Sequence, residues 1–468
     1  MAEILTRFNK LVWGVPMLLM IIGVGIYLTV RLGFVQITLF PAALKAFAGQ
    51  FRPSENPTGR SSFQSLCTAL AATVGTGNLV GVAGAICLGG PGSVFWMWIC
   101  GILAMVTKYT EALLSVRYRI RSESGFSGGP MYMILQGLPK RLNILAWIYA
   151  FLGMIAAFGV GNATQINAAV TALRSCVQAY GVELSPLAQL LIVSVIAVLI
   201  AVMLHGGVKS VGAATERLVP FAAVGYVLLC VGVLLVRWQQ LPEAFFRIIQ
   251  GAFSPRAVTG GLIGSSFQAL RVGCSRGVFT NEAGMGTAAI AHAGAEGVHP
   301  AAQGLMGIME VFLDTILICT LTALVILVSG VSIPYGVDMG GQLTTEAFSM
   351  VYGKGSVLWL TVAMMLFAVA TVLGWGMYGA RCTQFLFGQK GWRYFTALQI
   401  PTVFAGAFLE TAAVWQISEA LNGLMAIPNL ITLAILTPEA VRLTKEYKNP
   451  VTGTGGGNYA DFHQCKPL

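Results

Sequence analysis

Two glycine-rich polar stretches interrupt otherwise apolar runs and carry groups that could bind a small charged ligand. Residues 72–81 read Ala-Thr-Val-Gly-Thr-Gly-Asn-Leu-Val-Gly, and residues 273–286 end in Asn-Glu-Ala-Gly-Met-Gly. Glycine disfavours a helix by about 1 kcal/mol relative to alanine, so both stretches favour local unwinding. The N-terminus of a half-helix suits a carboxylate, and its C-terminal carbonyls suit an ammonium group or Na⁺. Together the two stretches could bind a zwitterion and a cation.

The positions of the two stretches favour this interpretation over simple close packing, for which glycine is also used. The first lies in the second apolar run of the chain and the other in the seventh, five runs later. If the first run is set aside, each stretch opens a unit of five spans. Because five is odd, the second unit crosses the membrane in the opposite direction. Paired interruptions in inverted halves mark the binding site of secondary transporters.

The composition predicts an integral membrane protein. Of 468 residues, 56% are hydrophobic and 10% are charged, against about 25% charged in soluble proteins. This excludes a soluble globule and a disordered chain.

The net charge of +10 comes from Lys and Arg spread thinly between apolar runs, which indicates membrane topology and not nucleic-acid binding. Nine cysteines without a CxxC pair and four histidines without ligand spacing argue against disulfide or zinc sites.

Eleven apolar runs of bilayer-spanning length predict an all-α membrane protein with about eleven transmembrane helices. The runs are 11–30, 64–88, 93–116, 143–173, 187–205, 216–237, 258–292, 303–330, 356–380, 393–411 and 414–437. The distribution of Lys and Arg predicts an external N-terminus and a cytoplasmic C-terminus. The predicted organisation is an extra N-terminal helix (1–33), a cytoplasmic amphipathic linker (34–62), a first five-helix repeat (63–237), an external loop with a short helix (238–257), a second, inverted repeat (258–440) and a cytoplasmic tail (441–468).

Four motifs give the chain a family resemblance. They are Gly-Thr-Gly-Asn-Leu-Val-Gly-Val-Ala at 75–83, Gly-Gly-Pro-Gly-Ser-Val-Phe-Trp-Met-Trp at 89–98, Asn-Glu-Ala-Gly-Met-Gly at 281–286 and Ala-Ile-Pro-Asn-Leu at 426–430. The chain closely resembles the alanine/glycine:cation symporter family, the sodium:alanine symporters of prokaryotes, over nearly its whole length. The resemblance implies a LeuT-type fold, two inverted five-helix repeats after one extra helix. It also implies sodium-coupled uptake of small neutral amino acids across the cytoplasmic (inner) membrane.

The resemblance also implies roles for residues of the first glycine-rich stretch. The amides of Thr76 and Gly77 would hold the substrate carboxylate, and Thr73 and Gly75 belong to the same substrate-binding segment. The carbonyls of Ala71 and Val74 would face a sodium ion. In LeuT-type proteins the equivalent of Asn78 can ligate a second sodium, and whether this chain keeps that site is left open.

The opposite wall is predicted in the run 356–380. Thr371 and Trp375 are four residues apart and share a helix face. The resemblance implies that both line the pocket and that the Thr371 hydroxyl also reaches sodium, a hard cation that prefers oxygen. The alternatives are a hydroxyl bonded back to its own helix and a tryptophan that only packs.

Amide side chains in the run 143–173 supply a third side. Asn162 and Gln165 are three apart, and Asn167 lies beside them. Bonding between helices would explain all three. The resemblance favours contact of Gln165 with the substrate, covered by Phe279.

Acidic residues inside the spans have open roles. Glu310 and Asp314 lie four apart on one face and could relay a proton. We favour the alternative that such carboxylates pair with Arg271, Arg276 or freed backbone amides. The role of Glu282 is left open.

Competing functions fit the sequence less well. A channel would need rings of carbonyls or charges from repeated subunits, and no enzyme motif is present. The expected function is therefore sodium-coupled symport of alanine or glycine, with membrane lipid as surroundings and sodium as the co-transported ion. Proton coupling, and sodium coupling with serine or glutamine as substrate, are the alternatives. Proton coupling is disfavoured because the stretch 75–78 contains no carboxylate. The oligomeric state is not predicted.

Overall fold

The computed structural model describes residues 12–51, 62–122, 125–261, 265–409 and 411–449. These residues are almost entirely helical, apart from an antiparallel strand pair, Ile120–Ser122 with Gly125–Ser127. In chain order the helices are Val15–Arg31, Val35–Thr38, Phe40–Gly49, Ser62–Thr73, Gly77–Gly81 (π), Val82–Gly89, Gly92–Arg117, Pro130–Gly137, Lys140–Leu142 (3₁₀), Ile144–Phe158, Gly159–Ala163 (π), Thr164–Ala179, Pro186–His205, Gly207–Val236, Trp238–Gln240 (3₁₀), Leu241–Phe253, Pro255–Thr259, Ser266–Asn281, Thr287–His292, Pro300–Val311, Phe312–Cys319 (π), Thr320–Val328, Gly341–Tyr352, Gly355–Phe387, Gly391–Phe408 and Thr411–Lys448.

The all-α membrane class is confirmed, whereas the count of eleven spans is not. Within the described residues, 7 helices are long and apolar enough to cross a membrane, and one bent pair brings the number to 8. The remaining predicted spans correspond to Val15–Arg31, Ser266–Asn281 and Gly391–Phe408. The first of these is apolar but has only 17 residues. Parts of the predicted N-terminal helix, linker and tail (1–11, 52–61 and 450–468) lie outside the described residues.

The first broken helix consists of Ser62–Thr73 and Gly77–Gly89, which meet at an angle of 48°. The last regular bond before the break runs from the amide of Val74 to the carbonyl of Leu70, at 2.7 Å. The next amide, that of Gly75, donates instead to Oδ1 of Asn78, at 2.9 Å. A side chain thus replaces the helical acceptor, and the interruption falls where the glycines predicted it.

The second broken helix consists of Ser266–Asn281 and Thr287–His292. Three residues between them have positive φ angles: Glu282 at 55°, Gly284 at 88° and Gly286 at 77°. Glycine adopts such angles without steric cost, so Gly284 and Gly286 favour this turn through their own backbone preferences. The predicted stretch was wider than the break. Gly273 and Gly277 lie inside the first half-helix, and a Cβ on Gly273 would overlap the backbone of Ser93, so close packing explains Gly273.

Two long helices complete the surroundings of the breaks. The wall helix, Gly355–Phe387, packs against the first broken helix, where a Cβ on Gly374 would lie 3.0 Å from the amide nitrogen of Ala72. The amide helix, Lys140–Ala179, widens into a π-helical segment at Gly159–Ala163. Such π segments often mark functional sites, because the extra residue displaces neighbouring side chains. Both breaks therefore face continuous helices that can carry fixed side chains.

Candidate functional site

Thr371 faces the first break directly. A Cβ built on Gly75 would lie 2.6 Å from Oγ1 of Thr371, closer than real contacts allow. Thr371 is 1% exposed, and within the described part of the chain its hydroxyl has no hydrogen-bond partner. The alternative of a bond back to its own helix is therefore not realised. A buried hydroxyl without a partner is costly, and its position beside freed backbone is suited to a cation.

Gln165 is the amide that reaches the break. Its Oε1 accepts a hydrogen bond from the Thr76 hydroxyl at 2.8 Å, and its Nε2 donates to the carbonyl of Val160 at 3.2 Å. The two asparagines behave differently. Asn162 donates to the carbonyl of Gln399 at 2.9 Å, and Asn167 donates to that of Leu409 at 2.9 Å. Those two contacts join helices, which is the alternative to substrate contact that the sequence analysis gave for these amides.

The other residues of the first break are buried between the two broken helices and the wall helix. Ala71 and Val74 are 0% and 1% exposed, at the end of the half-helix on which Gly374 packs. The Thr73 hydroxyl donates back to the carbonyl of Ala69 at 3.3 Å, so this side chain is satisfied within its own helix. A Cβ on Gly77 would lie 3.5 Å from Cγ2 of Thr280 and 3.9 Å from Cδ1 of Phe279. Gly77 and Phe279 are thus brought together across the two broken helices.

Trp375 is fixed on two sides. A Cβ on Gly161 would overlap the Trp375 side chain, so the π segment of the amide helix can approach the indole only because residue 161 is glycine. At the other edge, Nε1 of the indole donates to Oε1 of Glu282 at 2.7 Å. Trp375 is 1% exposed. The predicted pocket wall is therefore a buried ring whose polar edge points to the second break.

The first break is contacted by a carboxylate whose position the sequence did not predict, although the residue itself was named as a possible proton relay. Asp314, from the π segment Phe312–Cys319, accepts a hydrogen bond from Nδ2 of Asn78 at 2.7 Å. Its other oxygen accepts from the Thr315 hydroxyl at 2.8 Å. Proton coupling was disfavoured because the stretch 75–78 contains no carboxylate. That is true of the sequence, but in the folded protein Asp314 lies next to this stretch. The only sequence signal was the helical spacing of Glu310 and Asp314, which does not indicate the facing helix.

The expected partners of the other acidic residues are partly wrong. Glu310 pairs with Lys108 at 2.9 Å and with Nε2 of His292 at 3.0 Å. Arg276 instead pairs with Glu419 at 2.9 Å and Asp338 at 3.3 Å. Pairing with arginine was thus the wrong expectation for Glu310.

Freed backbone amides do receive a carboxylate, but it belongs to Glu111. Its Oε1 accepts from the amides of Gly284 and Gly286 at 2.9 and 3.1 Å. It also accepts from Nδ2 of Asn429 at 2.7 Å. Because an uncovered amide buried in a membrane protein is costly, these bonds stabilise the second break. Through these bonds Glu111 connects two of the motifs found in the sequence, 281–286 and 426–430.

A cleft of about 410 Å³ lies beside the site. Among its lining residues are Val80, Ala168 and Arg276. Each lies three residues, close to one helical turn, from a residue already placed at the breaks: Gly77, Gln165 and Phe279 respectively. The cleft therefore lies about one helical turn from the site on three of its helices.

Known proteins resemble this chain over most of its length. A model of the sodium:alanine symporter family matches residues 1–455. The sodium/alanine symporter AgcS of Methanococcus maripaludis is 42% identical over 95% of this chain and 97% of its own. The amino-acid carrier protein AlsT of Bacillus subtilis is 36% identical over 91% of this chain and 88% of its own.

The fold has a counterpart among solved structures. The crystal structure of MhsT in complex with L-phenylalanine superposes with a TM-score of 0.55 at 13% sequence identity and covers 84% of this chain and 99% of that one. At that identity the likeness concerns the fold alone, which is of the LeuT type. The broken helices, the glycine motifs and the match over nearly the whole length agree, and the chain belongs to the sodium:alanine symporter family.

Proposed function

We propose that the protein carries Na⁺ and a small neutral amino acid, alanine or glycine, together into the cell by alternating access. It does no covalent chemistry. The observation that carries this proposal is the buried hydroxyl of Thr371, which lies beside the unwound backbone at Gly75 and has no hydrogen-bond partner among the described residues. Family membership supports the same substrates, because the relative AgcS is a sodium/alanine symporter.

The substrate carboxylate is assigned to the amides of Thr76 and Gly77. These residues begin the second half of the first broken helix, where the first amides of a helix lack intrahelical acceptors and the helix dipole is positive. The amide of Gly75 is already bonded to Asn78. Gly77 carries no side chain, so a carboxylate can approach the backbone closely.

Sodium is assigned to the carbonyls of Ala71 and Val74 and to the hydroxyl of Thr371. These are uncharged oxygens, which suit a hard monovalent cation. Asn78 is assigned to shaping the break and not to a second sodium. Its Oδ1 already accepts from the amide of Gly75, and its Nδ2 already donates to Asp314.

Three side chains are assigned to the space around the substrate side chain. Gln165 is held at the break by Thr76, Phe279 lies next to Gly77, and Trp375 closes the wall. Main-chain amides recognise only the carboxylate, so selection by size falls to these side chains. A pocket discriminates by about 1–3 kcal/mol per methylene, which is enough to favour alanine over larger residues.

The experiment is uptake of radiolabelled alanine into proteoliposomes with imposed gradients. A Na⁺ gradient alone should drive accumulation, and a H⁺ gradient of equal size without Na⁺ should not. Unlabelled glycine should compete, and leucine should not. Accumulation that ignores the Na⁺ gradient would refute the proposal.

Proton coupling is kept as a second candidate because of Asp314. This carboxylate is 0% exposed, contacts the first break through Asn78, and accepts hydrogen bonds from two neutral donors, Asn78 and Thr315. If protons drive transport, a H⁺ gradient alone should support uptake, and Asp314→Asn should remove that component. If Na⁺ alone drives transport, a H⁺ gradient without Na⁺ should support no uptake in either wild type or Asp314→Asn.

The topology is also proposed. We assign the protein to the prokaryotic cytoplasmic membrane, with the N-terminus outside, the C-terminus inside, and inverted repeats over 63–237 and 258–440. The excess of Lys and Arg in the predicted cytoplasmic gaps supports this orientation. Reporter fusions at the two termini test it, and equal activity of a cytoplasm-specific reporter at both ends would contradict it.

A further inference from the structure

Glu282 has a backbone conformation that calls for an explanation. Its φ is 55°, in the left-handed region, where side-chain-bearing residues are rarely found. In the described part of the chain only Phe34 shares this property among residues other than glycine. The two neighbours that also turn left-handed in this break, Gly284 and Gly286, are glycines. Strained side-chain-bearing residues persist where the surroundings hold them, frequently at functional sites.

The side chain of Glu282 is buried and fully used. Glu282 is 2% exposed. Its Oε1 accepts from Nε1 of Trp375 at 2.7 Å, and its Oε2 accepts from the Thr287 hydroxyl at 2.7 Å. No ion pair within 4.0 Å involves it among the residues that the structure describes. Both of these donors are neutral, so the carboxylate does not hold its place through a direct salt bridge.

The indole of Trp375 depends on this carboxylate for its orientation. Gly161 lies against the ring's attachment point, and the ring of Tyr378 lies edge-on at 5.8 Å between centroids. Both contacts are apolar, and neither involves the indole nitrogen. The bond to Glu282 is directional and is the polar contact of the indole nitrogen. Without it, the ring would keep its packing but lose the interaction that selects one rotation.

We infer that Glu282 is a positioning residue that sets the substrate size limit by fixing the indole of Trp375. The inference rests on the proposed function, in which Trp375 walls the pocket. Glu282 opens the second break, so the carboxylate ties this wall to the broken helix that carries Phe279. The left-handed turn at residue 282 begins the break directly after the helix end at Asn281.

The test is a competition experiment on purified protein in proteoliposomes. Labelled alanine is competed with glycine, serine, valine, leucine and methionine in wild type, Glu282→Gly, Glu282→Gln, Trp375→Ala and the double variant Glu282→Gly with Trp375→Ala. Glycine suits a φ of 55°, so Glu282→Gly removes the carboxylate without adding backbone strain. Glu282→Gln keeps an oxygen that can accept from the indole.

The expected result is a change in selectivity and not only in activity. Glu282→Gly should strengthen competition by leucine and methionine relative to alanine by about tenfold, the scale of one methylene in a pocket. Glu282→Gln should keep the wild-type order of competitors. In the Trp375→Ala background, Glu282→Gly should cause no further change in that order. Thr287→Val removes the second donor to the carboxylate. It should also strengthen competition by leucine and methionine, but by a smaller factor than Glu282→Gly.

Three outcomes would overturn the inference. Glu282→Gly could lower alanine uptake while the order of competitors stays that of wild type, which is what a purely structural role predicts. The effects of Glu282→Gly and Trp375→Ala could add, which would show that Glu282 acts through another group. If Glu282→Gly does not fold, the Thr287→Val variant decides. An unchanged order of competitors in that variant would refute the inference. Failure of the underlying proposal is distinguishable, because Trp375→Ala alone would then leave the order unchanged.

Discussion

Replacing Thr371 with valine tests the sodium assignment, because the structure predicts opposite effects on stability and on ion affinity. Valine has nearly the shape of threonine and lacks the hydroxyl. In the described structure this hydroxyl has no partner, so its removal breaks no internal hydrogen bond. A buried unsatisfied polar group costs about 1–3 kcal/mol. The sodium-free Thr371→Val protein should therefore unfold at the same temperature as wild type or at a higher one.

The effect on sodium should be large and of the opposite sign. A hydrogen bond to a charged group contributes about 1.5–3 kcal/mol, and we take this as the scale for one hydroxyl ligand. With about 1.4 kcal/mol per factor of ten, the Na⁺ concentration for half-maximal uptake should rise about 10- to 100-fold. The stabilisation of the protein by Na⁺ should also shrink, because the free energy that a ligand adds grows with the logarithm of its concentration divided by its dissociation constant.

The assay combines alanine uptake across a series of Na⁺ concentrations with thermal unfolding in detergent, with and without Na⁺. Thr371→Ser keeps the hydroxyl and should stay close to wild type in Na⁺ dependence. Thr383→Val is the matched control on the same helix. The Thr383 hydroxyl donates to the carbonyl of Gly379 at 2.7 Å, so its removal should lower stability and leave Na⁺ dependence unchanged. An unaltered Na⁺ half-saturation in Thr371→Val, or a clear loss of stability without Na⁺, would refute the reasoning.

Two further predictions concern the substrate. Gly77→Leu should abolish alanine binding while the protein still inserts and folds, because the added side chain would fill the space beside Thr280 and Phe279, which lie 3.5 and 3.9 Å from the Cβ position. Calorimetric titration of the purified variant checks this, and wild-type alanine affinity would sink the assignment. Gln165→Leu should weaken alanine affinity about tenfold, since one hydrogen bond at the break is lost and contributes about 1 kcal/mol or somewhat more. Asn167→Leu, which loses only contacts between helices, should lower the unfolding temperature and keep the affinity; equal affinity losses in the two variants would contradict the separation of their roles.

Local chemistry explains how much of the fold was predictable. The share of apolar residues and the scarcity of charge establish a helical membrane protein, because only helices or closed barrels satisfy the backbone in lipid. The first break was placed at residues 75–78, since glycine and a side-chain acceptor act within a few residues of each other. The second break was placed within too wide a stretch. Glycine permits both unwinding and close packing, and composition alone does not separate the two uses at Gly273 and Gly284.

The structure brings together some of the residues named from the sequence, whereas their individual contacts were not predictable. Gly75, Gln165 and Thr371 come together, and the resemblance had named all three. The partner of Glu310 was assigned to the wrong side chain. Glu310 lies 202 residues from its partner Lys108, and nothing in either local pattern reports which helix faces which.

What the sequence by itself determined is therefore the class of protein, the family, and the places where a helix must break. These follow from composition and from short-range propensity, which need no knowledge of neighbouring helices. Only the tertiary structure decided that Asp314 reaches Asn78 across 236 residues and that Glu282 reaches Trp375 across 93. Such contacts depend on the rotation and register of whole helices, because a shift of one residue turns a helical side chain by about 100° and aims it at a different neighbour.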